Sequence, residues 1–166
     1  MRRMENIITE RPSEGKITKS VVAEMVDGIY CRITDGEFTM DADLPTAMGG
    51  DNRAPGAGTL ARAGLAACLT GGYAMMFAQR DVPIDKLTVE VYSDLDYAGY
   101  FGVEGRTTGF QELRYIVHVE SPADPALIVA ALDEADTGSM ILNSFKNPVP
   151  VKRDVHINQQ RQDAAE

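Results

Sequence analysis

Near the start of the chain the apolar residues recur at every second position. The run from Ile17 to Val26 is rich in β-branched residues and carries the alternation Val21, Ala23, Met25, and Ile29, Cys31 and Ile33 alternate with Tyr30, Arg32 and Thr34. A period of two sends successive side chains to opposite faces of a strand. The pairs Asp27-Gly28 and Asp35-Gly36 separate these runs, and Asp-Gly accepts the positive φ values that a tight hairpin turn demands. The pattern predicts a three-stranded meander over residues 17–26, 29–34 and 37–42.

The period then changes. Pro45, Gly49, Gly50, Asn52, Pro55, Gly56 and Gly58 make a loop, and Thr59 stands where a helix N-cap would. From Leu60 to Arg80 the only charge before the end is Arg62, so the expected helix must be covered on almost every face and sits at the centre of the fold. Its i, i+4 row of Leu60, Gly64, Cys68, Gly72 and Met76 is a groove of small residues. Alternation returns at Leu87, Val89 and Val91, and a second long strand is expected over 112–121 after a Gly- and Tyr-rich connection. Asp124-Pro125 pairs an N-cap with proline at the first helical position, opening a helix to about Asp136. Gly138 interrupts it, Ser139 caps a short helix to Phe145, and residues 149–157 read as a final strand. The order βββ–α–ββ–α–α–β predicts one α+β domain over residues 16–157, with a mobile lead-in at 1–15 and a polar tail at 158–166.

Charge narrows the partners. Sixteen basic residues against twenty-five acidic ones give a net charge of −9, which disfavours a nucleic-acid partner. The charge-free stretch from Ala63 to Gln79 is short and weakly apolar for a membrane span and reads as a buried helix. Ile7-Ile8 is followed at once by Thr9, Glu10 and Arg11, so no signal-peptide core is expected, and the two cysteines do not form a secreted disulfide framework. A reducing cytoplasm is the expected location. No cofactor is expected, and metal binding has little support, because His118 and His156 are distant in sequence and no Cys or His pair has ligand spacing. Neither a phosphate loop, a dinucleotide fingerprint nor a Gly-x-Ser-x-Gly elbow is present.

Cys68, in Leu65-Ala66-Ala67-Cys68-Leu69, is the most informative remaining residue; on local composition alone it reads as a small buried hydrophobe. Cys31 shares a strand face with Ile29 and Ile33 and is expected to be structural. Beyond that single residue, Asp43-Leu44-Pro45, Gly49-Gly50, Pro55, Leu60 and Ala63-Gly64-Leu65-Ala66-Ala67-Cys68 resemble the first half of the OsmC/Ohr family. The segment from Asn143 to Val151, NSFKNPVPV, resembles that family's closing helix-to-strand segment. Together with the order of elements, the resemblance runs from about Lys16 to Ile157.

The resemblance implies an intertwined α+β homodimer, with antiparallel sheets around paired central helices and thiol sites at the subunit interface, reducing organic hydroperoxides. Cys68 matches the peroxidatic cysteine. The resolving-cysteine position falls on Ser139, which cannot form a disulfide, and the glutamate position falls on Thr59. The thiolate-activating arginine would fall near Val26, where no arginine stands. Arg53, in the loop before the central helix, is the candidate substitute as thiolate partner; Arg62 would point to a different face. A free thiol has a pKa of roughly 8.5, so a nucleophilic cysteine needs some such support. Two functions follow as expectations: thiol-dependent reduction of a small organic hydroperoxide, with Cys31 or an external thiol as reductant, or non-catalytic binding of a small apolar ligand at the dimer interface.

Overall fold

The computed structural model describes residues 2–157, and the expected polar tail lies outside them. These residues fall into two compact units divided between Ala61 and Arg62.

The first unit holds the meander. Strands β1 (Val22–Asp27), β2 (Tyr30–Asp35) and β3 (Phe38–Ala42) pair antiparallel in sequence order. Gly28 and Gly36 adopt φ of 56° and 59°, the left-handed conformation that a tight Asp-Gly turn requires. The first strand starts at Val22 rather than Ile17, because only from Val22 does β2 supply partners, beginning with Thr34. Helix α1 (Arg2–Glu10) and a 3-10 turn at Pro12–Gly15 occupy the segment expected as a lead-in.

Helix α2 (Ala57–Gln79) begins two residues before Thr59, so Thr59 is not its N-cap. Its first turn is set by backbone: the carbonyl of Gly56 accepts from the N–H groups of Thr59 at 2.9 Å and Leu60 at 3.1 Å. Upstream, Asp43 organises the loop. Its buried carboxylate accepts from the backbone N–H groups of Leu44 at 2.8 Å, Arg53 at 2.9 Å and Asp51 at 3.2 Å. These donors, Arg53 first, hold its pKa below the ordinary carboxylate value. Gly50 lies so close that a Cβ there would stand 2.0 Å from the Leu44 carbonyl oxygen.

In the second unit, β4 (Lys86–Leu95) and β5 (Phe110–Glu120) form an antiparallel ribbon, joined through the short helix α3 (Tyr97–Tyr100). Helices α4 (Pro125–Gly138) and α5 (Met140–Lys146) follow, capped by Asp124 and Ser139 as the sequence suggests. The core is one face of α2, Leu65, Leu69, Tyr73 and Phe77, at the four-residue spacing that stacks side chains along a helix. Against it pack Ala131 and Ala135 of α4, Leu142 of α5, and the inward residues Leu87, Val89, Val91, Val117 and Val119 of the ribbon.

The opposite side of α2, with Ala63, Gly64, Ala67, Gly71, Ala74, Met75 and Ala78, is exposed in the single chain. One expectation changes: residues 149–157 form no strand. Their alternation is real, but a strand needs a hydrogen-bonding neighbour, and Val149, Val151, Val155 and Ile157 are all exposed.

Candidate functional site

α2 runs antiparallel to the α4–α5 segment, so residues advancing along one helix meet residues receding along the other. Leu65 and Leu142 pack in the same core, Cys68 meets Ser139, Tyr73 meets Asp136, and Arg80 pairs with Glu134. The second rung is the candidate site. The Cys68 sulfur and the Ser139 hydroxyl oxygen stand 3.5 Å apart, within hydrogen-bond reach for sulfur. Cys68 is half-buried and Ser139 is buried.

Ser139 is held from several sides. Its oxygen accepts the N–H of Leu142 at 3.4 Å as the α5 cap, and its own N–H donates to the Asp136 carbonyl at 3.2 Å. The Asn143 side-chain amide donates to the carbonyls of Thr137 at 3.0 Å and Ser139 at 2.8 Å, bracing the junction between the two helices. With its oxygen accepting from the cap N–H, the hydroxyl proton is free to point at Cys68.

The third rung is a polar cluster in which Tyr73 is buried and Tyr115 and Asp136 are half-buried. Tyr73 and Tyr115 each donate a 2.6 Å hydrogen bond to Asp136, one to each carboxylate oxygen. Burial, followed by the adjacent carboxylate, raises the pKa of both phenols, that of Tyr115 to about 12. Sequence reasoning missed these residues. The available signal was Tyr73 itself, the one polar tip in the row of Leu65, Leu69 and Phe77, which needs a partner once buried.

A cavity of about 340 Å³, which neither Cys68 nor Ser139 lines, is bounded by Leu65, Phe110, Leu113, Tyr115, Leu142 and Phe145, with Gln111, Glu112 and Lys146 as further polar lining. Leu65 and Leu142 are each one helical turn from Cys68 and Ser139. The Phe110 and Phe145 rings lie 6.2 Å apart between centroids.

The other sequence candidates have their own surroundings. Arg53 pairs with Asp27 at 3.0 Å and with Asp51, and its guanidinium lies 5.2 Å from the centroid of the Tyr30 ring. Thr59 is exposed in the first turn of α2. Arg62 donates to the Ser93 hydroxyl at 2.9 Å. Cys31 is a free thiol in β2, as Cys68 is in α2. His118 pairs with Glu90 at 3.2 Å, and among the described residues no group of His, Cys, Asp and Glu is arranged to hold a metal ion.

Solved structures with the same fold include an OsmC-like protein from Mycoplasma pneumoniae, with a TM-score of 0.69 at 17% identity, covering 80% of this chain and 90% of that one. An organic hydroperoxide resistance protein OsmC from Legionella pneumophila superposes with a TM-score of 0.57 at 20% identity, over 82% of this chain and 96% of the other. A Vibrio cholerae protein assigned to organic hydroperoxide resistance, with captopril bound in one of its active sites, gives a TM-score of 0.58 at 17% identity, over 80% and 86%. A comparison with curated proteins finds no match. The sequence profile of the OsmC-like protein family matches residues 49–154, from the loop before α2 to the segment after α5. The chain belongs to the OsmC-like protein family.

Proposed function

We propose that this protein reduces small organic hydroperoxides through Cys68, using an external thiol as reductant. The observation that carries the reading is the 3.5 Å approach of Ser139 to Cys68: the pair expected from the family pattern meets in space, with a hydroxyl where a second thiol would stand. The cavity lined by Leu65 and Leu142, one helical turn along from the pair, suits the apolar part of a hydroperoxide.

In this scheme the Cys68 thiolate attacks one peroxide oxygen. An S–O bond forms as the O–O bond breaks, the departing alkoxide takes a proton and leaves as the alcohol, and the sulfur becomes a sulfenic acid. Ser139 cannot condense with it. A small thiol attacks the sulfenic sulfur, water leaves, and a second thiol releases Cys68 from the mixed disulfide. Arg53 remains a candidate thiolate partner only if it leaves Asp27 and Asp51, to which it is already paired. Cys31 is assigned a structural role.

The active form is proposed to be a cytoplasmic homodimer. The exposed small-residue side of α2 fits a closely packed second helix, and the exposed apolar residues of 149–157 fit a strand whose partner lies on another copy. The β1–β2–β3 sheet points the same way: Met25, Phe38 and Met40 are exposed, and such a sheet needs another layer.

The test is turnover of cumene hydroperoxide with dithiothreitol. Wild type and Cys31→Ala should consume peroxide catalytically and Cys68→Ser should not. Equal rates for wild type and Cys68→Ser would leave apolar-ligand binding in the cavity as the better account.

A further inference from the structure

We infer that Asp136, clamped by Tyr73 and Tyr115, is a positioning device that sets the Ser139 hydroxyl on the Cys68 sulfur. The inference rests on reading Cys68 as the nucleophile, but it concerns how the thiolate is supported rather than what it attacks.

The geometry has three parts. The two carboxylate oxygens of Asp136 are each engaged by a phenol from a different element, Tyr73 on α2 and Tyr115 on β5, both at 2.6 Å. Tyr73 is 1% exposed, so its hydroxyl has no water to turn to if the bond is lost. The backbone carbonyl of the same Asp136 receives the N–H of Ser139 at 3.2 Å. One residue therefore fixes the last turn of α4 against α2 and β5 through its side chain, and fixes Ser139 through its main chain.

Asn143 closes the junction from the other side. The result is a hydroxyl whose oxygen accepts the α5 cap bond and whose proton is available to the sulfur 3.5 Å away. A hydrogen bond donated to the charged form of a thiol favours that form. In this chain such a donor stands where the family pattern has its resolving cysteine, so Ser139 supports the thiolate instead of resolving the sulfenate.

A merely structural role for the clamp and a positioning role predict opposite signs. Loosening the helix junction would expose Cys68 and speed its modification. Losing a hydroxyl donor would lower the thiolate fraction and slow modification, partly offset by the greater intrinsic nucleophilicity of a more basic thiolate.

The experiment is alkylation of Cys68 by iodoacetamide at pH 7 in the folded protein, in a Cys31→Ala background, with the ultraviolet absorbance of the thiolate followed in parallel. Tyr115→Phe, Tyr73→Phe and Ser139→Ala should each react about threefold more slowly and show weaker thiolate absorbance. Tyr115→Phe combined with Ser139→Ala should be no slower than Ser139→Ala alone, because both act through one hydroxyl. Unchanged or faster alkylation in Ser139→Ala, or in both phenylalanine variants, overturns the inference, as do effects that multiply in the double variant. Because the probe is not a peroxide, these results stand whether or not the protein turns over hydroperoxide.

Discussion

Cys68 and Ser139 are 71 residues apart in sequence, and their side chains meet at 3.5 Å across the antiparallel packing of α2 on the α4–α5 segment. A thiol in place of the Ser139 hydroxyl would put a second sulfur beside the first. Ser139→Cys should therefore form a disulfide between Cys68 and the introduced thiol on addition of hydroperoxide, read as protection of both sulfurs from alkylation and as a cross-linked peptide by mass spectrometry. Oxidation of Cys68 in that variant without cross-linking would show that the helices hold the two positions too rigidly or at the wrong angle.

The phenols above Asp136 give the fold an alkaline limit. Burial and the neighbouring carboxylate raise Tyr115 from 10.0 to about 12. A raised folded-state pKa means the contribution is fully present below the unfolded value near pH 10 and is lost as pH climbs towards 12. Thermal denaturation from pH 8 to pH 12 should show a falling Tm above pH 10, and Tyr115→Phe should flatten that fall while starting from a lower Tm. An equally steep fall in the variant would place the alkaline transition elsewhere.

At the acid end the loop before α2 contributes, beside the lowered carboxyls of Asp41 and Asp94. The donors to Asp43 lower its pKa, so its contribution is present above the ordinary carboxylate range and disappears as pH falls through the lowered value. Asp43→Asn should be less stable than wild type at pH 7, and the difference should shrink as wild type is acidified towards pH 3. Gly50→Ala should disrupt the same loop at every pH, since its Cβ would collide with the Leu44 carbonyl oxygen. Wild-type stability in Gly50→Ala would contradict this account of the loop.

The meander was legible because Asp27-Gly28 and Asp35-Gly36 carry their backbone geometry in their composition. Ser139 was legible as a cap for the same kind of local reason. The start of α2 was not: Thr59 has the chemistry of an N-cap, but the carbonyl of Gly56, three residues earlier, already organises the first turn. Residues 149–157 show the complementary failure, since alternation specifies two faces and says nothing about who supplies the neighbouring edge. Of the site, Cys68 and Ser139 could be placed from motif and order. The Tyr73–Asp136–Tyr115 cluster could not, because it joins three elements through side-chain tips that no local pattern links.

The exposed stripe of α2 carries the prediction on assembly. Gly71 lies in its middle, and Cβ space there is open in the single chain. Gly71→Leu should leave the monomer fold intact and weaken self-association about tenfold or more, the equivalent of about 1.4 kcal/mol, measured by sedimentation over a concentration series. Unaltered dimerisation would move the interface off this face, and a stable wild-type monomer at micromolar concentration would remove the dimer altogether.

The most direct measurement is the trapping of sulfenic acid by dimedone after a single addition of cumene hydroperoxide, with the modified residue located by mass spectrometry. The chemistry assigned to Cys68 predicts about one adduct per chain, confined to Cys68, absent in Cys68→Ser and retained in Cys31→Ala. Adducts on Cys31 alone, or no adduct above the Cys68→Ser background, would contradict it.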